Sequence, residues 1–274
     1  MTGDRGAALS WPQAWAALDA ELGQWQAAGK VARFWWRDDD ATKATPALNR
    51  LVTLRKTVDV PLTLAVIPAQ LAPSLVDLVA AANGITAAQH GFSHANHAPA
   101  TEKKSEFPAS RSLDERLRDL RTGQAILRQR LGEKFQPVLV PPWNRFAPDL
   151  LGTLPSLGFS AISAFQLRRQ YWAAEGLAQL NTHMDPVDWR GGDSDLGCRM
   201  ALMAAIQALT AIRTGLAHLQ PVGLLTHHLR HDSAGWDFIE TFLRRIAAHP
   251  AARWVDLAAA LAVGRPVGDI IQAS

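Results

Sequence analysis

Two short stretches of the sequence carry the residue types that bind cations and move protons. Asp38-Asp39-Asp40 sets carboxylates side by side, and His90-Gly91-Phe92-Ser93-His94 spaces two imidazoles four positions apart around a glycine. Adjacent carboxylates repel one another, so such a run needs a solvated turn, a helix cap or a cation to neutralise it. Two histidines at that spacing, on a tight turn or a helix, can face one ion. A carboxylate from another element would complete a three-ligand site with open positions for water. The ion would remove the repulsion, letting one acid ligate it while a neighbour acts as a base. Taken alone, the histidine pair is also what packing yields in a chain with nine histidines. Cys198 is the sole cysteine, which excludes an intrachain disulfide and an all-thiolate zinc site, so any metal must be held by nitrogen and oxygen.

These residues are useful only if separate elements bring them together. Trp11, Trp15, Leu18, Leu22 and Trp25 recur at helical spacing behind Ser10 and Pro12, marking a docking helix within residues 1–30. Strands are predicted over 31–37, 61–67, 85–89, 138–140, 161–164, 177–181 and 222–225, and helices over 45–56, 73–82, 113–131, 148–154, 200–219 and 236–248. Strands alternating with helices imply a mainly parallel sheet covered by helices, whether closed or open. The acid run, His90, Pro141-Pro142-Trp143-Asn144-Arg145, Thr182-His183-Met184-Asp185 and His227-His228 each follow a predicted strand. That is the end at which parallel α/β sheets build their sites.

Length and composition set the remaining bounds. The 274 residues suit one large α/β domain spanning the chain, and 48% hydrophobic with 19% charged residues is the balance of a globular protein with a substantial core. The 28 basic and 25 acidic residues form no basic stripe, so nucleic acid is not an expected partner. No leader and no membrane-spanning stretch is read from the chain, giving a cytoplasmic expectation with no membrane partner. Oligomeric state is left open. Of the ten tryptophans, Trp35 and Trp36 lie on a strand, while Trp143 and Trp189 sit in motif loops where an indole face could stack on a sugar or wall an acyl pocket. Core packing is the better expectation for the four together.

The ordered set resembles the polysaccharide deacetylases (NodB homology, carbohydrate esterase 4), in a divergent branch. It comprises an acidic pair after the first strand, a His-x-x-Ser-His segment, a Pro-rich segment with arginine, Asp185-Pro186-Val187-Asp188-Trp189 and a late Leu-Leu-Thr-His segment, and it spans roughly 34–232. The resemblance implies a distorted (β/α) barrel of about seven parallel strands, a divalent metal that is usually zinc, and removal of acetyl groups from N-acetylated sugars or related amides. Its first motif fits in two registers. Setting Arg37 first makes Asp39 the base and Asp40 a metal ligand; the other register uses Asp38 and Asp39. His90 and His94 match the metal histidines, His227 matches the histidine that protonates the leaving group, and His228 stands where the family has Asp. The family's Arg-x-Pro-x-Gly is absent, and Arg145 is the expected replacement, oriented by Asp185 through a charge-assisted hydrogen bond. Trp143, Asn144 and Trp189 are expected to touch substrate. The altered third motif also fits a second reading, a metal-containing carbohydrate-binding module that has lost hydrolysis.

Overall fold

A computed structural model describes residues 10–266. In chain order its main elements are α1 (Trp11–Ala27), β1 (Ala32–Ala41), α2 (Pro46–Val58), β2 (Leu62–Val66), α3 (Pro73–Ala81), β3 (Ile85–His90), α4 (Leu113–Leu131) and β4 (Phe135–Val140). These are followed by β5 (Ala161–Ile162), β6 (Trp172–Ala174), β7 (Leu177–Gln179), α5 (Ser194–Arg213), β8 (Val222–Thr226), α6 (Ser233–Ala248), β9 (Ala252–Trp254) and α7 (Leu257–Ala262). The nine strands form one sheet in the order β6-β7-β5-β4-β3-β2-β1-β8, with β9 beside the start of β1. Every pairing is parallel except the β6–β7 hairpin.

This is the α/β architecture of a NodB-like barrel, but the sheet is not closed. The expected distorted barrel arrangement is present, and the opening in its sheet is narrowed by isolated bridges, Phe165 to Thr182 and Met184 to Leu224. Residues 182–184 cross the gap, with the His183 N–H on the Gly223 carbonyl (2.8 Å) and the Leu225 N–H on that of Met184 (2.8 Å). The short β6, β9 and α7 were not anticipated. Segments this brief carry too little periodicity to be read.

Both faces of β1 are buried, as parallel sheets require. Phe34 and Trp36 pack outward against the helices, in a cluster with Leu202, Leu209, Ile239 and Phe242. Trp35 points inward among Ala65, Ala88, Val138, Val140 and Ala161. Gly223 makes room for it, since a Cβ there would lie 2.5 Å from the Trp35 Nε1. Neither strand tryptophan is available to a ligand, each being 1% exposed. Alternation continues past Trp36, so Arg37 and Asp39 share the inner face with Trp35 and Asp38 falls on the outer one.

The docking helix α1 forms as read, burying Leu18, Leu22 and Trp25, and Glu21 pairs with Arg213 of α5 at 2.7 Å. Contrary to the sequence expectation, α5 is long and apolar enough to cross a membrane by length and composition. In this fold it serves as a core helix, burying Cys198, Leu202, Leu209 and Ile212.

Candidate active site

Five strand ends, those of β1, β3, β4, β5 and β8, meet at the C-terminal edge of the sheet. Unlike the prediction, β1 does not stop before its acids but carries them to Ala41, so Asp38 and Asp39 take orientations dictated by the pleat. Asp38, fully buried on the outer face, accepts from Thr226 Oγ1 (2.7 Å), the His228 N–H (3.1 Å) and His228 Nδ1 (2.6 Å). His228 holds its proton above the ordinary imidazole range: burial opposes this, and the Asp38 carboxylate outweighs it. The histidine that stands where an acid was expected is thus matched by an acid on the neighbouring strand.

Asp39 faces inward and is held by Arg37, whose Nε lies 2.8 Å from Oδ1 and whose Nη2 donates to Oδ2 at 3.0 Å. Arg37 is itself fully buried. Its remaining donors reach the Ser163 hydroxyl (2.6 Å) and carbonyl (3.2 Å) at the end of β5, and Asn144 Oδ1 (3.1 Å) after β4. The carboxylate is thus held by one hydrogen bond, from Nη2, and by a second close charge contact at Nε that is not aligned as a hydrogen bond.

The structure therefore corrects the expectation for Arg145. That side chain is exposed, and its Nη1 donates to the Lys104 carbonyl. The cause is the backbone before it. Trp143 and Asn144 both adopt left-handed conformations (φ 56° each), so the segment turns away from the inner face and leaves Arg37 the place beside Asp39. Asn144, expected on substrate, spends its carbonyl oxygen on Arg37. Asp185, expected to hold the arginine, instead accepts from Trp189 Nε1 (2.8 Å) and the Val187 N–H (3.0 Å), and lies 3.8 Å from His227 Nδ1. Burial raises the Asp185 carboxyl above its usual range.

Asp40 leaves the strand with φ 69°, which swings its carboxylate toward the β3 end. Its Oδ1 lies 3.2 Å from His90 Nε2 and 3.3 Å from His94 Nε2, and the three donor atoms are within 4.8 Å of one another. His90 Nδ1 sits 3.0 Å from the Val140 carbonyl. A carbonyl only accepts, so Nδ1 carries the hydrogen, and in the neutral ring Nε2 presents its lone pair to the common point. This one-carboxylate, two-imidazole set fits a divalent cation in chemistry and in tautomer. Burial opposes ionisation of Asp40, but when His90 is instead protonated at both nitrogens its Nε2–H bond and charge, with the charges of His227 and His94, hold the Asp40 carboxyl well below the usual range. Burial and the neighbouring His90 lower His94.

His227 follows β8 and is 9% exposed. The edge of its ring meets Trp189 at 4.7 Å, and its buried Nδ1 has no hydrogen-bond partner among the described residues. Trp189 itself is 56% exposed, whereas Trp143 lies 4.4 Å from the His94 ring. His183 belongs elsewhere. Its Nδ1 accepts from the Gly223 N–H (2.9 Å) and its Nε2 faces Gln220 Oε1 (3.1 Å), with burial pushing it down to about 4. His97 is exposed, on a loop.

Residues with no role in the sequence reading also shape the site. Ser163 braces Arg37, and Glu106, buried in the long loop between β3 and α4, underlies the turn that presents His94. Neither belongs to a short motif, so no spacing signal marks them.

In sequence, neither a family model nor a curated protein matches the chain. In structure it is similar to a putative polysaccharide deacetylase from Mycobacterium smegmatis, at 14% identity and a TM-score of 0.63, over 93% of this chain and 92% of that one. It is also similar to a family 4 acetyl xylan esterase from Clostridium thermocellum in complex with a cobalt ion (13% identity, TM-score 0.51, 83% and 89% of the two chains). A third similarity is to a CE4 family pseudoenzyme from Bacillus anthracis (13% identity, TM-score 0.54, 85% and 66%). The backbone is common to active and inactive relatives, so any case for activity rests on the side chains. By architecture, the chain has the NodB-like fold of the carbohydrate esterase 4 polysaccharide deacetylases.

Proposed function

We propose that the protein is a metal-dependent hydrolase that removes an acetyl or similar acyl group from an N-acetylated sugar or related amide. The observation that carries this reading is the juxtaposition, on consecutive residues of β1, of a carboxylate gripped by a buried arginine (Asp39 on Arg37) and one shared with two imidazoles (Asp40 with His90 and His94). A packing role for either acid does not require the other. Together they supply a base beside a cation, the pair that amide hydrolysis needs.

Asp40, His90 and His94 are assigned as the ligands, and zinc as the metal on the basis of the nitrogen and oxygen donor set. When bound, the cation polarises the acyl carbonyl and brings the pKa of an attacking water from ~16 toward ~7. Asp39, oriented by Arg37, takes the water proton as the water oxygen bonds to the carbonyl carbon. His227 gives a proton to the nitrogen as the C–N bond breaks, leaving a free amine and a carboxylic acid that ionises to solvent, and the proton on Asp39 passes back through solvent to His227. Asp185, 3.8 Å from His227 Nδ1 and outside hydrogen-bond distance, is assigned as the carboxylate that takes the ring's other N–H when the pair tightens on substrate. Trp189 and Trp143 flank the two histidine-bearing sides and are assigned to substrate contact.

The second reading, a metal-containing carbohydrate-binding module without hydrolysis, is favoured by the similarity to a pseudoenzyme and by the missing arginine of the third motif. Elemental analysis of the purified protein, with a screen for acetate released from acetylated sugars and amines, separates the two. Zinc with acetate release supports the hydrolase. Zinc with sugar binding but no acetate supports the module, and no stoichiometric metal defeats both.

A further inference from the structure

His94 reaches the cation site from a loop, and a loop ligand stays in place only if the backbone behind it is held. After His90 the chain turns out of the sheet. Gly91 and His94 both take left-handed conformations (φ 58° each), turning the N–H groups of Phe92, Ser93 and His94 toward one point. Converging backbone amides of this kind form a cradle for an anion.

The anion in this cradle is internal. Glu106 Oε2 accepts from the Phe92 N–H (3.1 Å), and its Oε1 accepts from the Ser93 N–H (2.7 Å), the Ser93 hydroxyl (3.0 Å) and the His94 N–H (3.1 Å). Its residue is 0% exposed. Taking a carboxylate out of water costs several kcal/mol unless its lone pairs are satisfied, so these four bonds are what let Glu106 sit there.

The carbonyl side of the loop is tied as well. Gly91 O accepts from Gln89 Nε2 (2.9 Å), Phe92 O from the Ala69 N–H (2.9 Å) and Ser93 O from Gln70 Nε2 (3.0 Å). Glu106 is anchored in turn by fully buried Phe107, whose carbonyl accepts from the Ala147 N–H (2.8 Å). Position 91 is matched to Glu106, for a Cβ there would lie 1.9 Å from Oε2.

We infer that Glu106 is a positioning residue of the cation site: by accepting the amides of residues 92–94 it holds His94 at the angle where Nε2 meets Asp40 and His90. The inference rests on the proposed reading of those three residues as metal ligands. Merely structural bracing would raise the stability of the metal-free protein and nothing else.

The test is Zn2+ titration against a competing chelating dye, paired with thermal melting of the chelator-stripped protein by circular dichroism. Glu106→Gln keeps the side chain's size but sets an NH2 against loop amides that also donate. The Zn2+ dissociation constant is expected to weaken roughly 10- to 100-fold, the usual scale for removing a partner that orients a ligand. If the variant binds Zn2+ as tightly as the unmodified protein, whatever its melting temperature, the inference is overturned while the metal reading stands. If the unmodified protein does not bind Zn2+, the metal reading fails and takes this one with it. Should Glu106→Gln not fold, Ser93→Ala removes one of the four bonds and leaves the carboxylate in place. A roughly three- to tenfold weakening is then expected, about the worth of one hydrogen bond, and unchanged affinity overturns the inference.

Discussion

The two walls of the site are built on different principles. On the side of β1 and β3, every reactive group is fixed by something rigid: Asp39 by a buried guanidinium, His90 by the Val140 carbonyl, His94 by amides closed over Glu106. On the side of β8, His227 has an Nδ1 without a hydrogen-bond partner among the described residues, an edge contact to a half-exposed indole, and a carboxylate at 3.8 Å. Groups that hold a cation or aim a base tolerate little displacement. A proton donor to a departing group must move with its substrate, and its hydrogen bonds tighten in the complex. The contrast teaches where a substitution will be felt as metal loss, as instability or as lost turnover.

The largest effect is expected on the rigid wall. His90→Ala should abolish both metal content and activity, whereas Asp39→Asn should keep the metal and lower turnover by roughly 10²- to 10⁴-fold, because an amide does not take up the water proton. Metal loss from Asp39→Asn, with retention in Asp40→Asn, would reverse the two acids. Arg37→Met tests the grip on the base. Leaving Asp39 buried without its partner should cost about 3–5 kcal/mol in urea unfolding, and a variant as stable as the parent would show that the ion pair contributes nothing net.

A histidine outside the site gives the next effect. His183 lies near 6.5 in an unfolded chain and at about 4 when folded, so the unfolded state takes up its proton first as the pH falls. Stability should therefore drop between pH 6.5 and 4, by an amount on the order of 3 kcal/mol, and flatten below. His183→Gln should shrink that drop; an identical pH profile in the variant would assign it to other groups.

On the open wall the residue to change is His227, by His227→Ala. Turnover on amides should fall about 100-fold with metal content and melting temperature unchanged, and least for substrates whose leaving group needs no proton. Normal amide hydrolysis by this variant would remove His227 from the chemistry. The smallest effect belongs to Trp189→Ala, where the Michaelis constant should rise several-fold with kcat nearly constant, as for a group that binds ground and transition states alike. A fall in kcat instead would mean that the indole works through His227 or Asp185, both of which it touches.

Much of the architecture was legible because it is local. The helical spacing of Trp11 to Trp25 follows from a period of 3.6 that a sequence displays directly, and β2 and β8 stand out as short runs whose residues are all buried. The clustering of Asp40, His90 and His94 was legible too, since His90 and His94 share one turn and the acids lie at a strand end. Three things were decided only by tertiary structure. The pleat of β1, extended through the acids by pairing with β2 and β8, separated Asp38 from Asp39, and a left-handed residue at Asp40 turned the third acid toward the histidines. Left-handed backbone at Trp143 and Asn144 took Arg145 out of the site and left Arg37 as the arginine on Asp39. Glu106 reached the amides of residues 92–94 from more than ten positions away, through a loop with no periodicity. Residue types and spacing name the groups able to do chemistry; which of them meet depends on strand register, backbone handedness and the burial of unpaired charge, and these are properties of the assembled sheet.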